Sequence, residues 1–108
     1  MSLHVRFLYS EDCPSHDEAL HRLRKVMKEE RIEDAVEVIQ VETSEDAERL
    51  KFAGSPTILV NDRDIDPQTH PFYALTCRAY RLEDGRISPL PSELMIRAAF
   101  RKASTEKS

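Results

Sequence analysis

The chain of 108 residues holds two cysteines, and one of them stands in the segment Cys13-Pro14-Ser15-His16. A thiol attacks as its thiolate, so the surroundings of each sulfur decide whether it reacts. Pro14 suits a first helical position because its missing N–H would have no intrahelical acceptor there, and Asp17 and Glu18 favour the positive end of the helix dipole. Cys13 is thereby placed at the N-cap, where unpaired N–H groups and the dipole stabilise the anion. Glu11 and Asp12 act in the opposite sense. His16 follows one helical turn later. Protonated, it would stabilise the thiolate; neutral, it would serve as a base; as a solvated helix residue, it would have no role. Cys13 and His16 give two soft ligands, whereas a closed zinc site needs four, so no metal is expected. Linear capture of a soft ion by two thiolates would require Cys77 to approach Cys13. Gly54 and Gly85 are the only glycines, and no phosphate-cradling loop or other cofactor signature is present.

The elements that must position these groups follow from periodicity. Residues 3–9 alternate apolar with mixed positions and read as a strand. From Pro14 to about Glu30, Ala19, Leu20, Leu23, Val26 and Met27 fall at helical spacing. Residues 36–42 form a second strand, and Thr43 with Asp46 three positions on caps a short helix that runs to about Phe52 before Gly54. Pro56 to Val60 is an apolar run suited to a strand buried on both faces, closed by the turn Asn61-Asp62. Residues 70–75 are expected to hold one helical turn, and 77–82 a fourth strand followed by the turn Glu83-Asp84-Gly85. Ser92-Glu93 opens a last helix with Leu94, Ile96, Ala98, Ala99 and Phe100 on its apolar side. The expected order is β-α-β-α-β-β-α, a four-stranded mixed sheet flanked by helices. Residues 1–103 make one domain and 104–108 a flexible polar tail.

Composition bounds the function. Hydrophobic residues are 40% and charged residues 33% of the chain, enough for one core with a soluble surface. Acidic and basic residues are interleaved and the net charge is -4, which leaves no basic field for a nucleic-acid backbone. No apolar run approaches a membrane span, and Arg6 interrupts the first apolar stretch in a way unlike a signal peptide, so a cytoplasmic protein without membrane contact is expected. Two cysteines in a reducing compartment are too few for a disulfide framework.

The element order, Cys-Pro-x-His at the start of the first long helix, and Gly54-Ser55-Pro56-Thr57 entering the third strand together resemble the thioredoxin/glutaredoxin superfamily. Small bacterial thioredoxin-like proteins, some related to mercury-resistance proteins, carry similar segments, matched here by Cys13-Pro14, Gly54 to Ile58, and Cys77-Arg78-Ala79-Tyr80. The resemblance implies a thioredoxin fold and a cis Ser55–Pro56 bond. It further implies a substrate site walled by Pro14 on one side and by Ser55, Pro56 and Thr57 on the other, with an extended partner peptide meeting the backbone of the proline loop. His16 occupies the position of the resolving cysteine of dithiol members. That departure leaves a monothiol route, in which Cys13 forms a mixed disulfide with glutathione as co-substrate, or with a protein, and an external thiol resolves it.

Cys77, at the start of the fourth strand, is expected at the end of the sheet away from Cys13 and beyond the reach of a disulfide. If the loop from Asn61 to Thr76 doubles back, Cys77 becomes a second thiol that resolves or binds metal; otherwise it is a structural thiol. Arg63, His70 and Arg78 read as solvated or loop side chains. The expected function is thiol–disulfide exchange through Cys13. The alternatives are a non-catalytic thioredoxin-fold binding module, or a soft-metal or redox sensor using Cys13 and Cys77.

Overall fold

In a computed structural model, which describes residues 3–11, 16–67 and 72–106, the chain is an α/β protein with a four-stranded mixed sheet and three helices. The sheet contains β1 (Val5–Tyr9), β2 (Val36–Gln40), β3 (Thr57–Val60) and β4 (Arg63–Asp64) in the order β2-β1-β3-β4. β1 pairs parallel with β2 from Val5↔Val36 to Tyr9↔Gln40, and antiparallel with β3 from Val5↔Val60 to Leu8↔Thr57. A parallel pair needs a crossover, and α1 (His16–Glu29) supplies it.

Side-chain alternation divides the core between the two faces of the sheet. Val5 and Phe7 of β1 join Ile58 and Val60 of β3 under α1 and α3 (Glu93–Glu106), where Ala19, Leu23, Val26, Met27, Ile96 and Phe100 close the layer. On the other face, Leu8 and Leu59 pack with Val41, Ala47 and Phe52 beneath α2 (Ser44–Leu50). Thr43 caps α2 by accepting the Asp46 N–H at 3.0 Å, as its spacing predicts. Ser92 does the same for α3 toward the Met95 N–H at 3.1 Å.

Three expectations need correction. The fourth strand of the sheet is β4, not residues 77–82. Asn61 and Asp62 both take positive φ (53° and 68°), the geometry of a tight two-residue hairpin, so β3 turns back at once and Val60 pairs with Arg63. Within residues 77–82, β5 (Tyr80–Arg81) pairs with β6 (Ile87–Ser88) in a separate two-stranded sheet closed by Gly85 at φ 89°. Residues 72–76 form no helical turn; His70 and Pro71 lie outside the described residues. The last helix continues through Glu106 into the segment expected to be a tail. Arg97 and Arg101 on α3 pair with Glu30 just beyond α1, and Arg97 also with Glu29, which ties the middle of the helix to α1. Among the described residues no helix is long and apolar enough to cross a membrane.

Candidate functional site

The site is built where β3 begins. The Ser55–Pro56 peptide is cis, as the resemblance implies. The Ser10 N–H, at the exit of β1, donates to Ser55 Oγ at 3.0 Å, a buried bond that ties the start of the Cys13 segment to the proline loop. At the other end of that segment His16 opens α1, its ring stacked on Tyr9 at 4.4 Å between centroids with 22° between planes. His16 Nε2 lies 3.4 Å from Asp17 Oδ1. Cys13 and Pro14 lie outside the described residues.

Cys77 is not at the far end of the sheet. Because β4 completes the sheet within a few residues, the chain after Asp64 is free to return past the start of β3, and Cys77 forms a parallel bridge with Ser55. The Ser55 N–H donates to the Thr76 carbonyl at 2.7 Å, and the Arg78 N–H donates to the Ser55 carbonyl at 3.0 Å. Thr76, Cys77 and Arg78 therefore lie beside the start of β3. Cys77 is exposed and disulfide-bonded, and the chain holds one other cysteine, Cys13.

Arg78 is likewise not a solvated side chain. It is 3% exposed, and its guanidinium donates from Nη1 to Asp64 Oδ2 and from Nη2 to the Asp66 carbonyl, both at 2.6 Å. Its Cζ sits 4.5 Å from the centre of the Tyr80 ring. Burial works against the charge, but the Asp64 hydrogen bond and the surrounding acidic groups outweigh it, so Arg78 stays protonated with its pKa raised. Nε has no hydrogen-bond partner among the described residues, a cost the two charge-assisted bonds must offset. Tyr80 is fully buried and donates its hydroxyl to the Pro56 carbonyl at 2.6 Å. Burial pushes its phenol above the ordinary range, the nearby Arg78 charge opposing, so the group remains a donor. The Thr57 hydroxyl donates to the Gly54 carbonyl at 2.6 Å.

Gly54 completes the arrangement. Its φ is +115°, and a Cβ there would stand 3.0 Å from Arg78 Cβ and 3.1 Å from Arg78 Cα, so any side chain at this position is strained and would push the two backbones apart by a few tenths of an ångström. The structure thus brings Ser55, Pro56, Thr57 and Cys77 together, with His16 on the neighbouring helix start. Arg63 lies on the exposed edge strand β4, and His70 is outside the described residues. Asp64, Arg78 and Tyr80 escaped sequence reasoning as site residues. The signal was present in Cys77-Arg78-Ala79-Tyr80, whose alternation puts a cation and a phenol on one inward face, opposite Cys77. Compared with known proteins, the chain matches no family model, no curated protein and no solved structure.

Proposed function

We propose that this chain is a thioredoxin-like thiol–disulfide exchange protein in which Cys13 and Cys77 form the redox pair. The observation that carries the reading is a disulfide-bonded Cys77 held beside the cis-proline loop. The sheet order β2-β1-β3-β4 with an antiparallel β3, and helices on both faces, is compatible with a thioredoxin fold and supports the same reading. Ser10, tied to Ser55, is three residues from Cys13, and three residues of chain span at most about 10 Å. So short a covalent link supports the pairing of Cys13 with a cysteine that borders this loop. The pair replaces the expected monothiol route: the resolving thiol is distant in sequence rather than at position 16.

In the reducing direction the Cys13 thiolate attacks one sulfur of an external disulfide and expels a thiolate, leaving a mixed disulfide on Cys13. The Cys77 thiolate then attacks Cys13 Sγ, forms the internal disulfide and expels the second thiolate. Two electrons leave the protein, and the two cysteine protons end on the two released thiols. An external thiol couple reverses the steps. Because resolution is intramolecular, it proceeds at a high effective concentration that an external thiol would have to match.

The test is a titration across reduced and oxidised glutathione buffers, with acid quenching and alkylation. The native chain should pass between a doubly alkylated and an unalkylated form as one two-electron step. Cys77→Ser should instead accumulate a glutathione adduct on Cys13. Independent titration of the two thiols in the native chain would refute the pair.

A further inference from the structure

Resting on the exchange reading above, we infer that the substrates of this site are low-molecular-weight disulfides and thiols, because the chain itself occupies the backbone groups with which the proline loop would hold an extended polypeptide. A peptide strand docks beside a reacting sulfur by adding main-chain hydrogen bonds to unpaired N–H and C=O groups. Among the described residues, the Ser55 and Pro56 groups of this loop already have partners. The Ser55 N–H and carbonyl are bound to Thr76 and Arg78 at 2.7 and 3.0 Å, proline has no N–H, and the Pro56 carbonyl accepts the Tyr80 hydroxyl at 2.6 Å. Thr57, next along, is within β3 and paired with Leu8 of β1.

The occupying segment is anchored independently of its sulfur. Arg78 is bolted to Asp64 and to the Asp66 carbonyl, Tyr80 is fully buried, and Gly54 admits the Arg78 backbone at a distance that would crowd a side chain. Opening the disulfide removes none of these contacts. To free Ser55 for a peptide, a buried ion pair and a buried phenol hydrogen bond would have to be exposed together, which is costly beside the few hydrogen bonds a peptide could return. Cys77 itself is exposed. A small disulfide exchanges without main-chain docking, so occupation of these backbone groups does not exclude it.

The decisive comparison uses the reduced full-length chain with two probes that share a leaving group. One is bis(2-hydroxyethyl) disulfide; the other is an unstructured peptide whose central cysteine carries a 2-mercaptoethanol disulfide. Matching the leaving group cancels its contribution to the rate. The small probe should react about tenfold faster or more, since the peptide brings bulk and ordering cost without docking bonds. Amide hydrogen exchange on the reduced chain gives a second readout, and the Ser55 and Arg78 amides should stay protected. Equal or faster reaction with the peptide, or loss of that protection on reduction, would overturn the substrate assignment while leaving the exchange reading standing. Absence of reaction with both probes would overturn the exchange reading and the assignment with it.

Discussion

β1 and β3 are buried by apolar side chains, with Val5, Phe7, Leu8, Ile58 and Leu59 filling the two faces of the sheet, whereas the segment from Thr76 to Tyr80 buries only Arg78 and Tyr80 and is held by polar contacts. Its anchors are a guanidinium on a carboxylate, a phenol on a carbonyl and two backbone bonds to Ser55. The apolar region gains from area removed from water and tolerates imperfect geometry. The polar region gains only while every partner is in place, because a buried charge left alone costs more than the pair contributes. The contrast implies that damage to the sheet centre lowers global stability, while damage to the anchor both destabilises and releases Cys77 from Ser55.

The largest expected effect breaks the first half of that contrast. Phe7→Ala should cost about 3–5 kcal/mol by denaturant unfolding, through lost burial plus the cavity left between the sheet and its helices. The folded fraction should keep the native redox equilibrium of Cys77. Arg78→Met is expected to cost about 3 kcal/mol, since it leaves Asp64 facing the segment unpaired, and to raise exchange at the Ser55 amide, which Phe7→Ala should not do selectively. A double-mutant cycle with Asp64→Asn sharpens the point: if the two substitutions add without coupling, the ion pair is not what anchors the segment.

Gly54→Ala should cost about 1–3 kcal/mol, because the added Cβ meets Arg78 backbone and the positive φ penalises any side chain. Its signature is a shift of the Arg78 and Cys77 amide resonances with β1 and β2 unmoved. The smallest effect lies far from both regions, at Glu30. The Arg101 hydrogen bond holds this carboxyl below the ordinary carboxylate range, against a smaller opposing contribution from desolvation. A depressed folded value means the pairing stabilises the protein above the unfolded carboxylate pKa, and this is lost as pH falls through the folded one. In Arg101→Ala the Glu30 titration followed by NMR should move upward, and the difference in stability between native and variant should vanish at acid pH. An unchanged midpoint would remove the pairing.

These same two kinds of burial explain what could be read in the sequence. Helical spacing of Ala19, Leu23, Val26 and Met27 and the unbroken run from Pro56 to Val60 report apolar burial directly, so α1, β3 and the α/β class were legible. Thr43 and the Asn61-Asp62 turn were legible because their local chemistry is specific. The path of residues 63–79 was not, because alternation at 77–82 marks an extended chain without saying which neighbour it pairs with. Alternation alone favours the sheet edge; two short pairings, Val60 with Arg63 and Ser55 with Cys77, divide the role instead. Arg78 is illegible for a related reason, since a buried arginine carries no periodic signature and its burial follows only from its partner Asp64, 14 residues away in sequence.

The account turns on Cys77 being joined to Cys13 beside Ser55, and non-reducing tryptic mapping of the native chain tests this most directly. Cleavage after Arg6, Arg22, Arg63 and Arg78 should release Phe7–Arg22 and Asp64–Arg78 as one disulfide-linked species that separates on reduction. Recovery of both peptides unlinked from oxidised, folded, monomeric protein, each alkylated on its own cysteine, would contradict the account.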